Sequence, residues 1–293
     1  MTRREKREAL WGYLFIALPV LGFLLFSAGP MLVSLYLSFC DYEILSAPRW
    51  VGLDNYVRLF TSDPFALKTM GNTVFYFIGI PLGMALSLGL ALALNQKMRA
   101  QGFFRTVYFV PSVCSIVALA LLWQWFYNPE YGLINSFLRG LGWRQPPSWL
   151  GEPALVKPAL ILMGVWANLG YNMVLFLAAL QGVPKALMEA AEIDGATPWQ
   201  RFWRITFPLI SPTTFFIAVI SLIGGFQNFD QIYVMTRGGP EYASATYMIY
   251  LYQNGFQYFR MGYASAMAWV LAAVIMVITF IQFRVSSRWV HYG

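Results

Sequence analysis

The stretch Glu189-Ala190-Ala191-Glu192-Ile193-Asp194-Gly195-Ala196-Thr197-Pro198, continuing to Ile205-Thr206-Phe207-Pro208, is a polar island between two long apolar segments. Pro184 suits the first position of a leading helix, and Gly195 provides a stop near its end. Thr197 can cap a second helix that starts at Pro198, with Gln200 completing a capping box. The stretch therefore predicts two short helices joined by a tight turn.

The composition is that of a polytopic membrane protein. Apolar residues make up 58% of the 293 residues and charged residues only 11%, against roughly 25% charged in a soluble domain. Six windows lack any Asp, Glu, Lys or Arg, and each exceeds the roughly 20 residues that cross a bilayer core. We predict one all-α domain, 1–293, with the polar island as a loop at 184–211 and spans near 10–38, 72–95, 107–127, 158–182, 212–234 and 263–283.

An even number of spans places both termini on one side of the membrane. With the amino terminus in the cytoplasm, twelve of the twenty Lys and Arg residues fall inside and eight outside, which fits the positive-inside rule. The first apolar window is too long for a removed signal peptide and should remain as a span. The only two cysteines are Cys40, near the outer end of the first span, and Cys114, inside the third, so the sequence does not imply a disulfide framework.

Polar residues at membrane depth mark a possible solute site. Asn168, Gly170, Tyr171 and Asn172 lie roughly 15–21 Å from the outer edge of the fourth span at 1.5 Å per residue. In the fifth span, Ser221, Gly225, Gln227, Asn228 and Asp230 form a second polar face. Such groups are costly in lipid and point inward, toward a solute or toward each other as interhelical hydrogen bonds. Ser112 and Ser115 either face the same cavity or bond back to their own helix.

The polar island also has a small face. Ala190, Ala191 and Gly195 leave room for the close approach of a partner, and Glu189, Glu192 and Asp194 place charge beside it. This combination predicts a peg that fits a socket on another protein. The alternative is an ordinary amphipathic connector between two spans.

These residues carry a resemblance to a known family. The segment Glu189–Pro208 resembles the EAA loop of ABC importer permeases. That loop has the order Glu-Ala-Ala, three residues, Gly, nine residues, Ile, one residue and Leu-Pro. This chain has the same residues at the same spacings, except for Phe207 in place of Leu. The resemblance implies a type I importer permease fold whose loop is a cytoplasmic coupling helix docked on an ATPase. The implied coupling residues are Glu189, Ala190, Ala191, Asp194 and Gly195.

A second motif narrows the resemblance. Phe226-Gln227-Asn228-Phe229-Asp230, followed by Thr236-Arg237-Gly238-Gly239-Pro240, is similar to the maltose-permease-like subunits of carbohydrate importers. That resemblance implies sugar contacts at Leu169, Gly170, Ser221, Gly225 and Asn228, with Met173 where a relative has an aromatic residue. Together with the residues chosen by depth, the expected substrate site is Leu169, Gly170, Tyr171, Asn172, Met173, Ser221, Gly225, Asn228 and Asp230.

The sequence also limits what the chain can do. It contains no Gly-x-x-x-x-Gly-Lys-Ser/Thr phosphate-binding loop, so we expect ATP and Mg to bind a partner ATPase and this chain to hold no cofactor. His291 has no neighbouring ligand set, so no metal is expected, and no catalytic constellation suggests an enzyme. The implied partners are a second permease, an ATPase dimer and an extracytoplasmic solute-binding protein in a bacterial or archaeal cell membrane. A neutral sugar leads as solute, with glycerol phosphate, or a carrier that works alone, as alternatives.

Overall fold

The computed structural model describes residues 2–96 and 99–290, so Lys97 and His291 lie outside the described residues. The predicted all-α membrane architecture is confirmed. Five helices are long and apolar enough to cross a bilayer, namely Arg7–Ser38, Pro64–Leu94, Val156–Gln181, Pro198–Phe226 and Met261–Ser286. A sixth span exists if the bent pair Gln101–Val113 and Ile116–Phe126 is counted as one, its halves meeting at 100°.

The individual helical segments are shorter than the spans. Three π-helical turns, Leu24–Ala28, Phe202–Thr206 and Gln253–Gln257, interrupt the α-helices, and one two-stranded antiparallel ribbon, β1 (Cys40–Asp41) with β2 (Arg49–Trp50), follows the first span. The α-helices are α1 (Arg3–Phe23), α2 (Gly29–Ser38), α3 (Asp54–Thr61), α4 (Pro64–Tyr76), α5 (Gly79–Leu94), α6 (Gln101–Val113), α7 (Ile116–Phe126), α8 (Leu133–Gly140), α9 (Val156–Gln181), α10 (Lys185–Ile193), α11 (Pro198–Arg201), α12 (Phe207–Phe226), α13 (Asp230–Thr236), α14 (Tyr247–Tyr252) and α15 (Met261–Ser286).

The chain divides into two compact units. The first comprises the residues up to Pro64 together with Leu251–Ala273. Inside it, the buried Tyr263 hydroxyl donates to Asp63 Oδ2 at 2.6 Å, and Asn55 Nδ2 donates to the carbonyl of Cys40 at 2.9 Å. Cys40 is buried and Cys114, in the other unit, is exposed; both are free thiols.

The second unit comprises Phe65–Tyr250 and the residues from Val274 onward. Its centre is the pair α5 and α9, which run in the same direction. Small residues allow their contact, because a Cβ at Gly79 would lie 3.1 Å from Ile161 and one at Gly83 would lie 3.7 Å from Val165. Successive spans cross the membrane in opposite directions, so the second span, which contains α5, and the fourth, which is α9, are expected to be parallel.

Helix α12 runs antiparallel to α5. Near its start, Ile210 and Ile217 share a buried cluster with Met173 and Leu94. At its other end, the Phe226 ring packs edge-on against Phe77, with ring centroids 4.7 Å apart. The helices α5, α9 and α12 therefore form one bundle, with an apolar cluster at the Leu94 end.

Several helix boundaries differ from the predicted spans. The second span helix starts at Pro64 rather than 72, because α4 continues the helix into the predicted outer loop. The fifth span helix ends at Phe226 rather than 234 and starts at Pro198 rather than 212. Pro208 and Pro212 lie inside this helix and do not end it. The third span is interrupted at the extended residues Cys114 and Ser115.

The close approach of α15 to β1 can be tested by adding one methyl group. A Cβ at Gly262 would lie 2.0 Å from the Cys40 carbonyl oxygen. We therefore expect Gly262→Ala to destabilise the protein by about 1–3 kcal/mol, as overpacking does, and to lower its unfolding midpoint in detergent by several degrees. Gly22→Ala, with no atom within 4 Å of the new Cβ, should leave the midpoint unchanged or raise it, since alanine favours helix. Equal midpoints for the two variants would contradict this packing.

Candidate functional site

A cavity of about 370 Å³ with a mixed apolar and polar lining lies between α4–α5, α9, α12 and α13, within the size range of small-molecule sites. Five glycines are among its lining residues: Gly79, Gly83, Gly164, Gly224 and Gly225. Its polar lining comes from Tyr76, Asn168, Tyr171, Asn172, Ser221, Asn228 and Gln231. No Asp, Glu, Lys or Arg of residues 2–96 and 99–290 is among the lining residues.

One face of α9 supplies the largest share of the polar lining. Gly164, Asn168, Tyr171 and Asn172 are separated by three or four residues, so they project from the same side of the helix. Asn168 Nδ2 donates to the carbonyl of Gly164 at 2.9 Å, which fixes its amide along the helix. Tyr171 and Asn172 lie one turn further along.

Ser112 positions this face from the neighbouring α6. Its hydroxyl donates to the carbonyl of Ala167 at 3.0 Å and accepts from the backbone N–H of Tyr171 at 3.0 Å. Those two groups belong to one turn of α9, so the hydroxyl inserts into the hydrogen-bond ladder of that helix. Ser112 thus neither faces the cavity nor bonds back to its own helix.

The end of α12 supplies the opposite wall. Ser221 and Gly225 lie on its last turns, and the helix stops at Phe226, with Gln227 as its C-cap. Asn228 lies in the short break before α13, where its backbone carbonyl accepts a 2.9 Å hydrogen bond from Thr246 Oγ1. The break turns Asn228 toward the cavity while its backbone stays anchored.

Four polar side chains in the cavity keep free hydrogen-bonding capacity. Within the described residues, no protein group forms a hydrogen bond with the polar side-chain atoms of Tyr171, Asn172, Ser221 and Asn228. These atoms are not fully buried, so a molecule in the cavity can reach them. A polar group at membrane depth without a protein partner needs water or a polar solute. These free donors and acceptors can form hydrogen bonds with water or with a hydroxylated molecule in the cavity.

The end of the cavity nearest the start of α9 is closed by fixed polar contacts. Tyr76 is buried and donates its hydroxyl to the Ser244 carbonyl at 3.0 Å, and the buried Gln231 donates to the Leu160 carbonyl at 2.5 Å. Asn72 Nδ2 donates to the Ala245 carbonyl at 3.0 Å. The loop before α14 is thereby fastened to α4.

Five of the nine predicted site residues line the cavity: Tyr171, Asn172, Ser221, Gly225 and Asn228. The structure places the other four elsewhere. Leu169 and Met173 face the bundle, where Met173 is fully buried and the Leu169 carbonyl accepts from Ser87 Oγ at 3.1 Å. Gly170 packs against Tyr108, and a Cβ added at Gly170 would lie 2.0 Å from the carbonyl oxygen of Tyr108. Asp230 is exposed in the first turn of α13, where a carboxylate suits the helix dipole.

The sequence did not predict several residues that line the cavity, namely Tyr76, Gln231 and the α5 glycines Gly79 and Gly83. The helical period offered a signal for α9, because Asn168 and Asn172 define a face that includes Gly164 and Tyr171 but leaves out Gly170 and Met173. No local signal distinguished Tyr76 or Gln231 from other interface residues.

The polar island forms the first of the two predicted short helices and the tight turn after it. Helix α10 begins after Pro184, which is its N-cap rather than its first residue. At its end Gly195 has a φ of +77°, its N–H donates to the Glu192 carbonyl, and the next N–H, of Ala196, donates to Ala191. This is a complete Schellman motif. The capping box of Thr197 and Gln200 is also present, with both hydrogen bonds made.

The predicted peg is open to a partner. Glu189, Ala190, Asp194 and Gly195 are exposed, whereas Ala191 is half-buried. Ile193 beside them has a fractional exposure of 87%. After the turn the chain does not form a separate second helix, since Pro198–Phe226 is one span helix that ends at the cavity.

Residues 79–291 match the family model described as "Binding-protein-dependent transport system inner membrane component". The chain belongs to this family. It is an ABC importer permease, as the EAA-loop resemblance implied. The matched residues cover most of the chain, from α5 through the polar island to the last span.

Two relatives and one solved structure extend the match to nearly the whole chain. The probable ABC transporter permease YesP of Bacillus subtilis is 39% identical, covering 99% of this permease and 95% of the relative. The sn-glycerol-3-phosphate transport system permease UgpA of Agrobacterium fabrum is 31% identical, covering 96% of each chain. A bacterial alginate ABC transporter, solved with its alginate pentasaccharide-bound periplasmic protein, contains a chain 28% identical with a TM-score of 0.86, covering 97% of this permease and 96% of that chain.

The different settings of two glycines give a test. Gly170→Ala should disrupt the contact of α9 with α6, because the new methyl would meet the Tyr108 carbonyl. Gly224→Ala adds a methyl with no atom within 4 Å, at the cavity wall. We expect Gly170→Ala to lower the yield of folded permease and its thermal stability severalfold more than Gly224→Ala, measured by fluorescence size-exclusion after heating. Normal stability of Gly170→Ala would show that the two helices pack differently.

Proposed function

We propose that this permease forms half of the translocation pathway of an importer for a neutral saccharide. The observation that carries the proposal is the uncharged cavity whose Tyr171, Asn172, Ser221 and Asn228 retain free hydrogen-bonding groups. Sugar hydroxyls both donate and accept, and amides and hydroxyls match them. The Tyr171 ring can also contact the apolar face of a sugar.

The absence of charged lining residues favours a neutral solute over glycerol phosphate. The charge of a phosphate or carboxylate at membrane depth is stabilised chiefly by a nearby cation. This permease's described lining offers neither Lys nor Arg. The alternative is an anionic solute, such as the sn-glycerol-3-phosphate named for UgpA or the alginate named for the solved transporter.

The exposed peg is well placed to couple the cavity to an ATPase. From Pro198 to Ser221 the chain is one span helix, about 35 Å long at 1.5 Å per residue. Force on the turn at Gly195 can therefore reach the cavity wall through a single rod. In this proposal Glu189, Ala190, Ala191, Asp194 and Gly195 dock on the ATPase from the cytoplasmic side.

The proposal requires partners. A second permease supplies the other half of the pathway, two ATPase copies bind ATP and Mg, and an extracytoplasmic binding protein delivers the solute. Both termini then lie in the cytoplasm of a bacterial or archaeal cell, in agreement with the basic residues. The permease itself carries out no hydrolysis.

The first test measures the ATPase activity of the assembled complex in proteoliposomes, with its binding protein and one of four solutes: lactose, arabinotriose, glycerol 3-phosphate or an alginate trisaccharide. We expect a neutral sugar to stimulate hydrolysis and to be taken up with ATP. Stimulation by glycerol 3-phosphate or alginate alone would overturn the neutral assignment. Uptake by this permease alone without ATP would indicate a carrier.

The site assignment predicts the effect of single substitutions. Removing one solute hydrogen bond costs about 1 kcal/mol, so Ser221→Ala and Asn228→Ala should each raise the half-saturating concentration for uptake of the stimulating sugar by about fivefold. Gln227→Ala is the matched control, because this neighbouring amide is exposed and does not line the cavity. Unchanged uptake in both cavity variants would remove them from the solute path.

The peg assignment predicts uncoupling by Gly195→Asp. Aspartate tolerates positive φ better than most residues, so the turn should persist, but a carboxylate would occupy the small face of the peg. We expect the complex to assemble while sugar-stimulated hydrolysis falls at least tenfold. Wild-type stimulation in an assembled complex would refute the coupling role.

A further inference from the structure

An ion pair fastens the two arms of the polar island. Arg201 Nη1 lies 2.8 Å from Glu192 Oε2, joining α10 to the start of the rod across nine residues of sequence. The Arg201 side chain is only 19% exposed, although Glu192 is 70% exposed. The Arg201 guanidinium therefore lies largely buried in the hairpin, and the Glu192 carboxylate contacts it from the exposed side.

Both charges occupy positions that their own helices disfavour. Glu192 is in the last turn of α10, where the partial charge of the helix end is negative, and Arg201 is the fourth residue of the helix that starts at Pro198, near a positive end. Each charge on its own would be repelled by its helix terminus. Pairing removes both penalties, so the contact has a physical reason beyond two long side chains meeting at a surface.

Few hydrogen bonds accompany this pair. Among the described residues, the other cross-hairpin hydrogen bonds are that from the buried Thr206 hydroxyl to Met188 Sδ at 3.8 Å and the backbone bonds of the Gly195 turn. The turn sets the direction of the chain, but it does not fix the angle between α10 and the rod over their lengths. A polar contact one full turn away from Gly195 can do so.

We propose that Arg201 and Glu192 are positioning residues for energy coupling: their ion pair clamps α10 to the rod, so that displacement of the peg moves the cavity wall instead of flexing the hairpin. The inference rests on the coupling role proposed above. Neither residue needs to touch the ATPase or the solute for this. When a partner covers the exposed carboxylate, lower local solvation should strengthen the pair.

The test uses the full complex in proteoliposomes, with the panel sugar that stimulates hydrolysis most, and measures sugar transported per ATP hydrolysed. We expect Glu192→Gln and Arg201→Gln each to lower this ratio at least fivefold while hydrolysis continues. Arg204→Gln is the matched control, because Arg204 is an exposed arginine on the same helix that forms no ion pair within the described residues. It should keep the wild-type ratio.

The exchanged pair Glu192→Arg with Arg201→Glu distinguishes a clamp from a contact to another protein. It restores opposite charges and also places each on the helix end that favours it, so the ratio should return to within twofold of wild type. Hydrogen exchange of the peptides covering 185–201 should rise in the single variants and fall again in the exchanged pair. Failure of the exchange to restore coupling, or full coupling in both single variants, overturns the clamp.

The outcome for Gly195→Asp separates this inference from the proposal beneath it. If Gly195→Asp uncouples the complex and Arg201→Gln does not, the peg role stands and the clamp is wrong. If both variants remain fully coupled, the peg itself does not transmit energy, and the clamp falls with it.

Discussion

A polar group at membrane depth must find a partner inside the protein or be reached by water, and this constraint divides the polar residues of the permease into two sets. Ser87, Ser112 and Gln231 each reach a backbone carbonyl of α9 and hold neighbouring helices against it. Tyr171 and Asn228 have no such partner and line the cavity. The satisfied groups build the walls, and the unsatisfied groups define where a hydrophilic solute can be stabilised.

The same helices carry both functions because small residues control where they separate. Gly170 allows α9 to approach the backbone of α6, and Gly79 allows α5 to pack against the Ile161 side chain of α9. Gly224, with no atom within 4 Å of an added Cβ, leaves space on the α12 side of the cavity. Bulk removed from a tight interface gives close packing, whereas bulk removed beside a chain break gives a cavity. One residue type therefore serves opposite purposes, and its neighbours decide which.

Local chemistry explains what the sequence could predict. Thr197 with Gln200, and Gly195 after α10, act through hydrogen bonds within a few residues, so their caps were predictable and the structure contains them. The helical period separates Gly170 and Met173 from the face of Asn168 and Asn172, but it could not predict that Gly170 packs against Tyr108, which lies on another helix. The position of Tyr76 depends on a carbonyl 168 residues away, which no local pattern encodes.

The continuity of Pro198–Phe226 matters for how such a permease could work. Had the loop ended in a separate helix, as its two capping signals suggested, motion at the peg would have been absorbed at a second hinge near Pro208. Proline needs no N–H partner in the first turn of a helix, but inside one it leaves a carbonyl unpaired. The π-helical turn Phe202–Thr206 just before Pro208 shifts the local hydrogen-bond register and lets the helix continue through it. The backbone therefore continues through this joint as one span helix, and the break between α10 and that helix is the turn at Gly195.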